Sequence, residues 1–272
     1  MNEIEKLPKN GIKRIVGVAS GKGGVGKSTT TVLLARALAS RGYSVGILDA
    51  DITGPSIPRL LGLEGIAGQS DGDRLLPLQD EQGIKVMSIN MFMQEEDDPV
   101  IWRGPLLAGA LTQFYKDADW GELDYLVVDF PPGTADVVLT AFQQLHVDGV
   151  VIVATPQDFV SMIVRKSVKM AVKTETPVLG FVENMGAMVC PECGKEFSLF
   201  SQSISANSAE QLGLPLLARF AWRRELAQAG ALSWPSLPAD LRAASEAFAA
   251  EVDLALSATA TGRSMGEKRP AS

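Results

Sequence analysis

Short runs of apolar, largely β-branched residues alternate along this chain with longer stretches whose apolar positions recur every three or four residues. Residues 14–20 (RIVGVAS), 44–50 (SVGILDA), 84–89 (IKVMSI), 125–130 (YLVVDF), 149–155 (GVVIVAT) and 177–184 (PVLGFVEN) read as strands, with 214–220 a weaker seventh. Lys27 to Ser40 reads as a helix with Leu33, Leu34, Ala37 and Leu38 on one face, and Gly42 beyond it supplies a stop. Further helices are predicted over 104–116, 134–145, 158–173, 204–212, 222–229 and 238–257. The strands are continuous apolar runs rather than alternating ones, as expected when helices cover both faces of a parallel sheet. The first strand, helix and second strand make a β-α-β unit of about 35 residues, enough for a parallel crossover. The pattern predicts one doubly wound, mostly parallel α/β domain over 14–257, an N-terminal extension over 1–13 and a disordered tail over 258–272. The Gly-, Asp- and Gln-rich segment 62–83 reads as mobile.

Composition narrows the function. Of 272 residues, 46% are apolar and 21% charged, which supports a sizeable core and excludes a wholly disordered chain. No apolar run approaches the length of a membrane-spanning helix, and the start, MNEIEKLPKNGIKR, has no apolar signal segment, so a cytoplasmic location is expected. Against 25 Lys and Arg stand 32 Asp and Glu, a net charge of -7 without a basic cluster, which argues against nucleic acid or membrane as a partner.

The strongest local signal is Gly21-Lys22-Gly23-Gly24-Val25-Gly26-Lys27-Ser28-Thr29, which fits G-x-x-x-x-G-K-[ST] between a predicted strand and helix. Glycines let backbone N–H groups converge on phosphate oxygens, and the helix N-terminus adds partial positive charge. Lys27 suits the β- and γ-phosphates of ATP, and the Ser28 hydroxyl suits Mg²⁺. Gly21-x-Gly23-x-x-Gly26, with Asp49 following the third Gly by 23 residues, also fits a dinucleotide fingerprint. The Lys-Ser pair directly after the third glycine favours the triphosphate. So does Asp129, which ends an apolar strand as a Mg²⁺-supporting carboxylate does. Asp49 and Asp51 flank Ala50 at the end of the second strand; a loop or capping carboxylate is the plain alternative for Asp51. Lys22 is a second lysine that an ordinary phosphate loop does not need, and a solvated surface charge is its plain reading.

The stretch KGGVGKST resembles the deviant Walker A motif of the ATPase group that holds the Min and Par ATPases and the nitrogenase iron protein. That resemblance implies a dimer sandwiching two ATP, with Lys22 reaching the partner's nucleotide, Asp51 orienting the attacking water, and Ser28, Asp51 and Asp129 at the Mg²⁺. Asp129-Phe130-Pro131-Pro132-Gly133-Thr134 then reads as a carboxylate strand end running into a switch segment. Within the group the chain resembles the Mrp/ApbC family. The similar stretches are Asp49 to Pro58, Trp102-Arg103-Gly104-Pro105, Trp120 to Tyr125, Thr155-Pro156-Gln157-Asp158, Val182-Glu183-Asn184-Met185 and Cys190-Pro191-Glu192-Cys193-Gly194. Members are ATP-dependent carriers or scaffolds for iron–sulfur clusters, which implies slow ATP hydrolysis and, for Asn184, a contact to adenine. Two stretches depart from the family: Ser201 to Ala206 replaces a Gly-rich run, and Ala221-Trp222-Arg223-Arg224 replaces an Asp-containing segment.

Both cysteines of the chain, Cys190 and Cys193, lie in one C-x-x-C. A [4Fe–4S] cluster or structural zinc usually takes four protein ligands, and a two-fold dimer supplies two from each subunit. The resemblance selects a dimer-bridging [4Fe–4S] cluster handed to apo iron–sulfur proteins. Interfacial zinc, a redox pair and two buried structural cysteines are the alternatives. In other classes stand a Min/Par-type positioning ATPase, which needs a membrane- or DNA-binding surface, and a reductase passing electrons from its cluster.

Overall fold

The computed structural model describes residues 7–51, 56–72, 74–92, 104–133, 142, 144–159, 162–198, 213–227 and 230–261. Its strands are β1 (Ile12–Ser20), β2 (Val45–Asp49), β3 (Gln69–Asp71), β4 (Arg74–Leu76), β5 (Leu78–Gln79), β6 (Lys85–Ser88), β7 (Leu123–Asp129), β8 (Gly149–Ala154), β9 (Val178–Val189), β10 (Glu196–Ser198) and β11 (Leu216–Trp222). The α-helices are α1 (Lys27–Ser40), α2 (Ile57–Leu61), α3 (Gly104–Asp117), α4 (Pro156–Phe159), α5 (Met162–Lys173), α6 (Arg224–Ala227) and α7 (Ala239–Ala260).

The main sheet runs β10-β9-β8-β1-β7-β2-β6-β5, with β11 also paired to β9. The pairs among β1, β2, β6, β7, β8, β9 and β11 are parallel; β10 and β5 join antiparallel. Alternation along each central strand feeds two cores. Val16, Val18, Ile47 and Val127 pack with Leu33, Leu34 and Leu38 of α1 and Phe248 and Val252 of α7. Ile15, Leu48, Leu126 and Val128 face Leu111, Phe114 and Tyr115 of α3 on the other side. Each fully buried side chain of this size contributes roughly 1.5–3 kcal/mol, so neither layer can be stripped without losing the sheet. This is the doubly wound arrangement the pattern predicts.

Several boundaries differ from the sequence reading. β9 continues past Asn184 to Val189, because β10 and β11 supply pairing partners on its two sides. Segment 62–83, expected to be mobile, holds a β3–β4 hairpin and β5. α7 runs to Ala260, beyond the expected end at 257. Trp222, expected to open a helix, ends β11 and leaves a short α6. The helix expected over 158–173 is α4 and α5, beginning at Pro156. The helix at 204–212, most of that at 134–145, Trp102, Arg103, Ile52 to Pro55, Thr134, the Ser201 to Ala206 run and the tail beyond Thr261 lie outside the described residues.

Candidate functional site

The sheet register assembles the first cluster. Asp49, at the end of β2, sits opposite Asp129 of β7 on one side and Ser88 of β6 on the other. Two carboxyls are thereby placed on one rung at the C-terminal edge, where open α/β sheets bind ligands. The turn from β1 to α1 lies over this edge. A cleft of about 370 Å³ opens there, lined among others by Ser20, Lys22, Gly23, Gly24, Lys27, Ser28, Thr29, Asp51 and Pro132.

Lys27 is buried between carboxylates, its Nζ 2.8 Å from Asp129 and 3.2 Å from Asp51. Burial alone would lower its ammonium; Asp129 and Asp51 together outweigh burial and hold it above the usual lysine range. The Ser28 hydroxyl donates to Asp129 Oδ2 at 2.6 Å, and the Thr31 hydroxyl to Asp129 Oδ1 at 2.7 Å. Asp49 accepts from the Asp51 N–H and the Ser88 hydroxyl. Burial first, then the facing Asp129 carboxylate, raise its carboxyl to about 8. Asp49, raised to about 8, is largely uncharged at neutral pH, and the Asp51 and Asp129 carboxylates against one lysine still leave excess negative charge beside the Ser28 hydroxyl. Asp129 and Ser28 therefore offer oxygen donors, and an electrostatic need, that fit a Mg²⁺ ion. The fingerprint for a dinucleotide accounts for none of these contacts.

Gly26 is a necessity of this loop. Its φ is +81°, and a Cβ there would run into the Asn184 side-chain amide. That amide, buried on β9, donates to the Val25 carbonyl at 2.9 Å. Asn184, expected at the base of the nucleotide, is thus placed against the phosphate loop. Gly26→Ala is expected to cost about 2–3 kcal/mol, from the left-handed backbone and the displaced hydrogen bond. ATP affinity should fall at least tenfold, measured by titration calorimetry alongside thermal unfolding. Thr31 and Ser88 escaped the sequence reading. Thr31 lies one helical turn after Ser28, a spacing that carries the signal, whereas Ser88 needed the strand register.

The cysteines form a second site. β9 and β10 are the arms of a hairpin whose turn is Cys190 to Lys195. The Cys190 N–H donates to the Lys195 carbonyl and the Gly194 N–H to the Cys190 carbonyl, with Gly194 at φ +70°. Backbone N–H groups of Cys193 and Glu192 point at the Cys190 sulfur and, with the Cys193 side chain, hold its thiol below the usual range. Cys193 is exposed, Cys190 partly so, and neither is in a disulfide. The turn is neither core nor a helix start, which removes the buried-cysteine reading and disfavours a thioredoxin-like pair. Among the described residues no group of three or more His, Cys, Asp and Glu side chains could hold a metal ion. The hairpin turn carries both cysteines of the chain. Asn184 of β9 precedes Cys190, the first residue of the turn after that strand, by six residues.

A family model described as ParA, NUBPL iron-transfer P-loop NTPase, matches residues 11–253. The chain belongs to this family. Among curated relatives, an iron–sulfur cluster carrier protein of Clostridium perfringens is 52% identical over 225 residues, covering 80% of this chain and 79% of the relative. One from Methanococcus maripaludis is 47% identical, covering 76% and 72%. The iron–sulfur cluster transfer protein NUBPL of Dictyostelium discoideum is 44% identical, covering 79% and 67%. A nucleotide-binding protein of Archaeoglobus fulgidus, solved in complex with ADP and with cobalt found, has a TM-score of 0.69 at 39% identity over 88% of both chains. The cell division ATPase MinD of Pyrococcus furiosus shares the fold, with a TM-score of 0.65 at 20% identity over 89% of this chain and 98% of that one. The fold of this chain is that of the P-loop NTPases, and its β1–α1 turn lines the cleft that holds Lys27. No helix among the described residues is long and apolar enough to cross a membrane.

Proposed function

We propose that this chain is a slow cytoplasmic ATPase that carries a [4Fe–4S] cluster as cargo and hands it to apo-proteins. The cluster is bridged between two copies by Cys190 and Cys193 of each. The observation that carries this reading is the exposed turn whose N–H groups face the Cys190 sulfur, with two free cysteines and, among the described residues, no group of three or more His, Cys, Asp and Glu side chains that could hold a metal ion. Four sulfur ligands then require a second copy. The names of the relatives favour iron over interfacial zinc, since ligand type alone does not separate them.

In the nucleotide site, Lys27 leaves its two carboxylates for the β- and γ-phosphates of ATP, and the loop N–H groups take the remaining phosphate oxygens. Ser28 and Asp129 would hold Mg²⁺, which would supply positive charge to offset that of the phosphates. Asp51, released from Lys27, orients the attacking water and takes up its proton as the bond from the γ-phosphorus to the ADP oxygen breaks. Lys22 faces the cleft mouth and acts on the partner's nucleotide, stabilising charge that develops in the transition state. Lys22→Ala should keep ATP affinity within about twofold while lowering turnover by about a hundredfold. Unaltered turnover would remove its cross-subunit role.

Transfer is tested with an apo-enzyme that regains activity on receiving a [4Fe–4S] cluster. Loaded protein should restore it faster than equal free Fe²⁺ and sulfide. Equal rates would sink the carrier reading. Co-sedimentation with anionic liposomes or DNA separates a positioning ATPase, for which binding is expected.

A further inference from the structure

We propose that Phe197, Met188 and Trp222 form an apolar wall of the cysteine site, lying on the face of the hairpin that carries Cys190. This inference rests on the cluster-carrier reading and names residues that nothing in that reading requires. Phe197 of β10 pairs with Met188 of β9, and Met188 pairs on its other side with Trp222 of β11. Directly paired residues share a face, so the three make one row across three strands. The bond from the Cys190 N–H to the Lys195 carbonyl continues the same ladder one rung beyond Val189 and Glu196. Side chains two residues apart lie on the same face, roughly 7 Å apart. Cys190 therefore stands next to Met188 on the row's face, while Val189 and Glu196 point the other way.

Phe197 is 45% exposed, unusual for a large aromatic side chain in a strand of an otherwise well-packed sheet. Trp222 and Met188 are partly exposed beside it. Apolar side chains around cluster sulfurs restrict water and set how long the cluster survives. The row supplies that restriction from one side, next to Cys190.

The test uses full-length chain loaded anaerobically with Fe²⁺ and sulfide, then exposed to air while the cluster absorption is followed. Phe197→Ser should bleach at least fivefold faster than wild type, and Phe197→Leu less than twofold faster. Val189→Ser, on the opposite face, should bleach at the wild-type rate. A second readout needs no Phe197 variant: loading should quench tryptophan emission, and Trp222→Phe should remove more than half of that quench. Equal bleaching of the Phe197→Ser and Val189→Ser chains, or a quench that Trp222→Phe leaves unchanged, would overturn the wall. If Phe197→Ser does not load, the quench decides alone. Wild-type chain that takes up no iron would instead remove the carrier reading itself.

Discussion

Replacing Lys27 with alanine is expected to lower ATP turnover by about a thousandfold or more, measured as phosphate release under saturating Mg²⁺ and ATP. The magnitude follows from where the side chain sits. Lys27 is the cation the cleft places among Asp51, Asp129 and Asp49, all of them buried. A phosphate chain entering the cleft without that ammonium would meet the Asp51 and Asp129 carboxylates with no buried cation between them. The substitution also leaves Asp129 and Asp51 without their ion-pair partner, at a cost on the order of 3 kcal/mol. Asp129 retains the Ser28 and Thr31 hydroxyls, so the fold should survive at reduced thermal stability. Two assays therefore separate the effects: turnover below the unfolding range, and unfolding itself. Turnover within tenfold of wild type would mean that Lys27 is not the phosphate lysine.

Cys190→Ala and Cys193→Ala should each abolish retained iron and the broad absorption near about 400 nm after anaerobic loading. Each leaves one thiolate per chain, so a pair of chains offers two sulfurs where the cluster takes four. Cys190→Ala also removes the sulfur toward which the Glu192 and Cys193 N–H groups are directed. Serine at 190 should not rescue, since a hydroxyl is a harder and more basic ligand than a thiolate. ATP hydrolysis offers an independent readout, because the hairpin lies outside the Lys27 cleft. Full iron in the double variant would remove the cysteines from the cargo site.

The central strands and α1 were legible because their residues are buried on both faces, and continuous apolar runs carry that information locally. Lys27, Ser28 and Asp129 were legible for a related reason, since phosphate chemistry fixes their spacing and their position at strand ends. What escaped depends on register. Ser88 and Asp49 meet only because β6, β2 and β7 align on one rung. The extension of β9 to Val189 was invisible because Asn184, Met185 and Gly186 interrupt the apolar run, while β10 and β11 stabilise it from outside. Asn184 was assigned to adenine by resemblance; its bond to Val25 could be seen only once β9 and the loop were brought together. The cysteine turn was legible as a metal motif, but the pairing of Phe197, Met188 and Trp222 beneath it was not.

The most direct test of the central claim is iron content together with native mass, measured on one anaerobically loaded sample. Two 28.9 kDa chains per particle with about two iron atoms per chain are expected, and stripping the iron should release monomers unless ATP is present. A particle of one chain that keeps its full iron complement would contradict the account, because a single chain brings only the two thiol sulfurs of Cys190 and Cys193.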